Sequence, residues 1–193
     1  HKITTWAEFA FRVGEGSVDG AVPLNEVARH LEPHRTKAFN GAFGGHGRLP
    51  VGTFFAGVEA YSPAHIRQLA IGALLHTVQD SFSASHVQRL NDEAPVLRER
   101  GAIVRFHSYR LQDATLHAAA DVRFADALQA TASDFHPVSL GARLIGCAAA
   151  GSADASKWPE AKKIVGEWLR QSRPDRNPPA SGGRFVRDPG LAP

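Results

Sequence analysis

The sequence predicts an all-α protein, a multi-helix bundle, and three observations carry that prediction. Apolar residues recur at three- and four-residue intervals over long stretches. Helix-start signals stand where the clearest of those stretches begins, at Ser62-Pro63. No alternating strand run bounded by hairpin turns appears.

In chain order, residues 3–13 (ITTWAEFAFRV) read as a short helix stopped by Gly14 and Gly16. A second spans 22–31, with Pro23 in its first turn and Leu24, Val27, Ala28 and Leu31 on one side. The run NGAFGGHGRLPVG, from Asn40 to Gly52, reads as a connector, since its glycines lack the Lys-Ser/Thr end of a phosphate loop. The helix from Ser62-Pro63 continues to about Phe82 through Ile66, Leu69, Ala70, Ala73, Leu74, Thr77 and Val78. Apolar on several sides, it is expected at the centre of the bundle. Residues 101–131 carry a second long helical pattern through Val104, Tyr109, Leu116, Ala120, Phe124 and Leu128. Shorter helices follow at 138–150 and 157–170, the latter anchored in the core by Trp158 and Trp168. One helical domain over 1–172 is expected, followed by a Pro/Gly-rich irregular tail over 173–193.

Composition narrows the function classes. The 193 residues are 43% hydrophobic and 21% charged, ordinary values for a globular domain. No run of about 18 apolar residues exists to span a bilayer. The opening HKITTWAEFAF has none of the parts of a signal peptide, so one is absent or already removed. The net charge is +3, and the nearest thing to a basic patch is Arg89, Arg98, Arg100 and Arg105, two of them interleaved with Glu93 and Glu99. A nucleic-acid binder usually concentrates its basic residues on one face, so no specific nucleic acid is expected as partner. Cys147 is the sole cysteine, which excludes internal disulfides and cysteine-rich zinc modules. Ten histidines are the compositional oddity, and imidazole is the commonest metal ligand among side chains.

The string LLHTVQDSFSASH places His76 and Asp80 four residues apart, one turn along one helix face, with His86 six residues further on. LHAAAD repeats the arrangement with His117 and Asp121. Two helices each offering a His-x-x-x-carboxylate pair can build a multi-metal site in a bundle core, with a carboxylate bridging two ions. One such pair alone is more often a helix-stabilising contact. Asp80 tips the balance, because an ionised carboxylate in an otherwise apolar helix is costly unless paired or on a metal.

These residues resemble the zinc-dependent phospholipase C superfamily, whose relatives include the fungal single-strand nucleases. In that family a central helix carries His-x3-Asp-x5-His, matched here by His76, Asp80 and His86, and a later helix carries His-x3-Glu or His-x3-Asp, matched by His117 and Asp121. His107 is the rival of His117, although no acid stands four residues after it. The resemblance covers mainly residues 62–122. It implies an upstream Asp and His as further ligands. Asp19 is the candidate acid, and His30, followed by Leu-Glu-Pro, competes with His34, whose spacing from Asp19 some members share. Family enzymes also begin with a Trp whose amine binds zinc. This chain begins with His1, has no histidine between His1 and Asp19, and places Trp6 where it cannot supply a free amine; either the start is trimmed, or the third metal is held differently, or His1 itself substitutes.

The implied protein is a multi-zinc phosphoric diester hydrolase, holding two or three Zn2+ ions between its helices on Asp19, His30, His76, Asp80, His86, His117 and Asp121. Zinc-activated water would attack phosphorus, with Asp80 bridging and Asp19 orienting that water. A phospholipid head group at a membrane surface is the implied substrate, and a secreted or periplasmic location follows from the same resemblance. Two other readings stand beside it: a single-strand nuclease, and a metal-stabilised helical module without catalysis. Asp113, four residues before His117, is a candidate to hold that ring's second nitrogen.

Overall fold

A computed structural model describes residues 2–58, 62–91, 94, 100–108, 112–119, 137–152, 154–170 and 180–181. It is mainly helical: α1 (Lys2–Glu15), α2 (Leu24–Val27), α3 (Thr36–Phe43), α4 (Val51–Ala56), α5 (Pro63–Asp80), α6 at 114–119, α7 (Pro137–Ala150) and α8 (Trp158–Trp168). Three short strands join them: β1 (Val87–Arg89), β2 (Ile103–Ser108) and β3 (Ala180–Ser181). The chain divides into two compact units, one of residues 1–76 and 141–166, the other of 77–140 and 167–193. Among the described residues no helix is long and apolar enough to cross a membrane.

The first unit is organised by α1. Phe9 is fully buried, and its ring lies 5.2 Å from Phe39, 5.4 Å from Phe55 and 5.9 Å from both Trp6 and Phe54. Each such aromatic pair adds about 0.5–1.5 kcal/mol beyond simple burial. Val13, Val18, Leu24, Val27, Val51, Ile66 and Ala70 complete this core. Gly14 lets α1 approach α5 closely, for a Cβ there would collide with Cγ1 and Cδ1 of Ile71. Of the two glycines expected to stop the helix, only Gly16 does, for α1 runs through Gly14 to Glu15; the φ of +85° at Gly16 is costly for any residue with a side chain, and its N–H donates to Val13 O.

A charged network joins distant segments of this unit. The fully buried Glu8 carboxylate accepts from Arg12 Nε and from the Glu32 N–H, each at 3.0 Å, and Arg35 Nε lies 2.8 Å away. Burial pushes its pKa up against the pull of the Glu32 N–H and of Arg12. Glu32 pairs with Arg35 at 3.1 Å and Lys162 at 2.7 Å. Glu15, also buried, accepts from Ser17 Oγ, Ser156 Oγ and Lys157 N.

Three sequence expectations change here. The run from Asn40 to Gly52 is only partly a connector: α3 extends to Phe43, residues 44–46 form a 3-10 turn, and α4 begins at Val51. Phe39 and Phe43, four residues apart, stack at 4.9 Å and both meet Phe9, which outweighs the helix penalty of Gly41. Residues 22–31 form a four-residue α-helix continued by a 3-10 turn at 28–30. The expected start of α5 holds, with Ser62 Oγ accepting from the His65 N–H at 3.3 Å. That helix is not buried on several sides, however. Ile66, Ala70, Leu74 and Val78 form one buried stripe, while His65, Arg67, Gln68, Gly72, His76 and Gln79 are exposed.

In the second unit the long helix expected over 101–131 is replaced at its start by a strand. β2 pairs antiparallel with β1 (Val87↔Phe106, Gln88↔Arg105, Arg89↔Ile103), with a register shift between Gln88 and Arg89. In β1, Val87 and Arg89 are buried with Gln88 exposed between them, the two-residue alternation of a half-buried strand. β3 adds in parallel on the other edge of β2 (His107↔Ala180, Ser108↔Ser181), so this part of the tail is ordered into the sheet. Helix appears only at 114–119, and Leu116 there is 42% exposed rather than in the core. The remaining apolar positions of that pattern, Tyr109, Ala120, Phe124 and Leu128, lie outside the described residues.

Arg89 does not belong to a basic surface patch. It is buried, stacks over Phe82 at 5.2 Å and donates to three carbonyls: Ser81 O at 2.9 Å, Gly101 O at 2.8 Å and Trp168 O at 3.2 Å. Trp158 and Trp168 are buried, as expected of core anchors.

Candidate functional site

Asp80 is the last residue of α5, and its side chain is 26% exposed. The DSFS run then folds into consecutive turns, because small hydroxyl side chains satisfy backbone groups locally. Ser81 Oγ donates to Val78 O at 2.7 Å, and the N–H groups of Ser83 and His86 donate to Asp80 O and Ser83 O, each at 3.1 Å. The reversal carries His86 back so that its Nε2 stands 3.6 Å from Asp80 Oδ1. The sheet fixes its backbone, with the His107 N–H donating to His86 O at 2.8 Å.

A second segment supplies His117. Asp113 Oδ1 accepts from the N–H groups of Thr115 and Leu116 at 2.9 and 3.1 Å, capping α6, and the His117 N–H donates to Asp113 O. The ring of His117 meets that of His86 edge-on, 4.8 Å between centres and 82° between planes. Its Nδ1 lies 2.6 Å from Gln112 Oε1, while Gln112 Nε2 donates to Ser85 O at 2.8 Å. The ring nitrogen expected to meet Asp113 therefore meets Gln112, and the Asp113 carboxylate serves the helix start. Sequence reasoning missed Gln112, five residues before His117 and at no helical spacing from it across the cap.

Two pairs, Asp80 with His86 and His86 with His117, fit a divalent cation in kind and in spacing. Zinc accepts imidazole nitrogen and carboxylate oxygen at about 2.0–2.2 Å in tetrahedral geometry, which sets neighbouring donor atoms about 3.3–3.5 Å apart and two ligated imidazole centres about 5 Å apart. The Asp80–His86 separation of 3.6 Å exceeds a hydrogen bond and approaches the first figure; the 4.8 Å between rings approaches the second. As a set they do not converge, for among the described residues no group of three or more His, Cys, Asp or Glu side chains stands ready to hold one ion. Asp121, the implied partner of His117, lies outside the described residues.

Asp19, His30, His34 and His76 belong to the first unit. His76 is exposed on α5, one turn before Asp80. Asp19 is exposed, its Oδ1 accepting from the Ala21 N–H at 2.8 Å, and it lines an open cleft of about 360 Å³ with Pro50, Thr53, Val58 and Ile66. His30 is half-buried, and its Nε2 accepts from Arg29 Nε at 3.3 Å. Burial, with the charges of Arg29 and Arg12, holds its pKa below the usual histidine value, so the neutral ring is favoured. His34 is exposed, its Nε2 3.7 Å from Glu32 Oε2. His107, the rival of His117, sits on β2 beside His86 through the backbone.

Compared with family models, with curated proteins and with solved structures, the chain matches none.

Proposed function

We propose that the protein is a divalent-metal-dependent phosphoric diester hydrolase whose metal centre is held by Asp80, His86 and His117. The observation that supports this reading is the return of His86 to Asp80 by the 81–86 turn, with His117 against it. His86 returned to Asp80, and His117 set against His86, make two contacts in the order of the family motif, which is more than a helical pair. Oxygen and imidazole donors suit zinc. Bound there, zinc would supply an activated water and a counter-charge for a phosphoryl oxygen.

The chain's own residues have definable parts in that chemistry. Asp80 contributes the anionic oxygen, and His86 and His117 contribute neutral nitrogens. The partial exposure of Asp80 gives a substrate access to the centre. Asp19, His30, His76 and Asp121 remain the further ligands that the resemblance implies, with a phospholipid head group as substrate and export from the cytoplasm as the accompanying expectation.

Elemental analysis of protein dialysed against limiting zinc, followed by turnover assays on phosphatidylcholine, other phospholipids and single-stranded DNA, tests the proposal. Two or three zinc atoms per chain and release of a phosphorylated head group are expected. Hydrolysis of DNA with no lipid turnover would transfer the reading to the nuclease branch. One exchange-inert zinc without turnover on either substrate would make the protein a structural metal module, and absence of bound zinc would end the proposal.

A further inference from the structure

We infer that Gln112 is a positioning residue that fixes which nitrogen of His117 faces the metal; the inference rests on the metal centre proposed above. The Ser85 carbonyl can only accept hydrogen bonds. It lies 2.8 Å from one end of the Gln112 amide, so that end must be the NH2. The reverse orientation would set two oxygens against each other with no hydrogen between them. The other end is therefore Oε1, again an acceptor only, and it lies 2.6 Å from His117 Nδ1. That nitrogen must carry the proton, and in a neutral ring the lone pair then belongs to Nε2.

Every part of this relay is held. Ser85 is fully buried in the turn that carries His86, so the carbonyl that orients Gln112 and the neighbouring imidazole move together. Asp113 caps the helix bearing His117, and the bond from His117 N–H to Asp113 O sets the backbone from which the ring projects. Gln112 thus links the turn of His86 to the ring of His117 with one rigid amide. It fills the part that a carboxylate or backbone carbonyl usually plays behind a metal-bound histidine, and losing such a partner typically weakens metal binding about 10–100-fold.

The test compares the wild type with Gln112→Leu, similar in size without polar atoms, and Gln112→Glu, which keeps an acceptor for Nδ1–H. Two-bond proton–nitrogen NMR on metal-free protein, at a pH where imidazole is neutral, reads the tautomer of His117. Competition with a chromophoric chelator reads zinc affinity. Wild type should show Nδ1–H, and so should Gln112→Glu, which still accepts from Nδ1–H although it gives up the hydrogen bond to Ser85 O. Gln112→Leu should show the Nε2–H form and bind zinc about 10–100-fold more weakly. An Nε2–H tautomer in the wild type, or zinc affinity unchanged in Gln112→Leu, overturns the inference while leaving the metal centre standing. A wild type that binds no zinc removes the centre itself, and the part assigned to Gln112 with it.

Discussion

Asp80 shows how one carboxylate is tuned by its place in a helix. At the C-terminal end of α5 its charge faces the negative pole of the helix dipole, an unfavourable position for an anion. A cation shared with His86 would reverse the sign of that interaction. Asp80→Asn keeps the shape and removes the charge, so two effects should separate: metal-free protein should be as stable as the wild type or slightly more so, and zinc affinity should fall by more than about tenfold. Thermal unfolding with and without zinc measures both; equal zinc-induced shifts in the two proteins would exclude Asp80 as a ligand. Residue type and spacing marked Asp80, His86 and His117 as candidates in the sequence, and the turn that returns His86 to Asp80 was not visible there. Gln112 was not legible, since its value depends on the Ser85 carbonyl, which only the folded turn brings near. His30 was legible as a residue type, but not the Arg29 guanidinium on its Nε2.

At the scale of elements, glycine separates packing from propensity. Gly14 and Gly41 both lie inside helices, although the sequence reads the first as a helix stop and the second as part of a connector. Around Gly41 a Cβ would meet nothing within 4 Å, whereas at Gly14 it would strike Ile71. Gly41→Ala should therefore raise stability by up to about 1 kcal/mol through helix propensity. Gly14→Ala should lower it by about 1 kcal/mol net, since overpacking costs about 1–3 kcal/mol against the same propensity gain. Trimming the neighbour in the double variant Gly14→Ala/Ile71→Ala should relieve part of that loss, and a urea denaturation cycle gives the coupling. Helices with strong local signals, such as α1 and α5, were readable for the same reason that these effects are local. The strand at Ile103–Ser108 was not, because β1 and β3 on either side of it decide its conformation, and its isolated sequence also satisfies a helical spacing.

Across the whole molecule, the sequence conveyed a mainly helical protein but not how its segments sort. The first unit recruits residues 141–166 to the N-terminal 76, and side-chain pairs such as Lys162–Glu32 and Ser156–Glu15 secure the recruitment. No periodicity encodes a pairing over such separations. Glu32 makes this testable through pH. Burial pushes its pKa up, but hydrogen bonds and charge from Lys162 and Arg35 outweigh burial and leave it below the ordinary glutamate value of 4.5. A carboxylate with a lowered folded pKa stabilises the fold above its unfolded pKa, and that stability disappears as pH falls through the folded value. Lys162→Ala should thus narrow the stability gap between pH 6 and pH 3, with the difference between variant and wild type shrinking at acid pH. A constant difference across that range would assign Lys162 no electrostatic part.

Arg89 has a consequence for motion. One guanidinium grips the carbonyls of Ser81, Gly101 and Trp168, and it stays charged at any physiological pH. Pulling any one of those segments away would strip hydrogen bonds from a cation with no water at hand, a penalty that local fraying cannot meet. The turn after α5, the entry to β2 and the end of α8 are thereby bound into one cooperative block that opens together or stays shut.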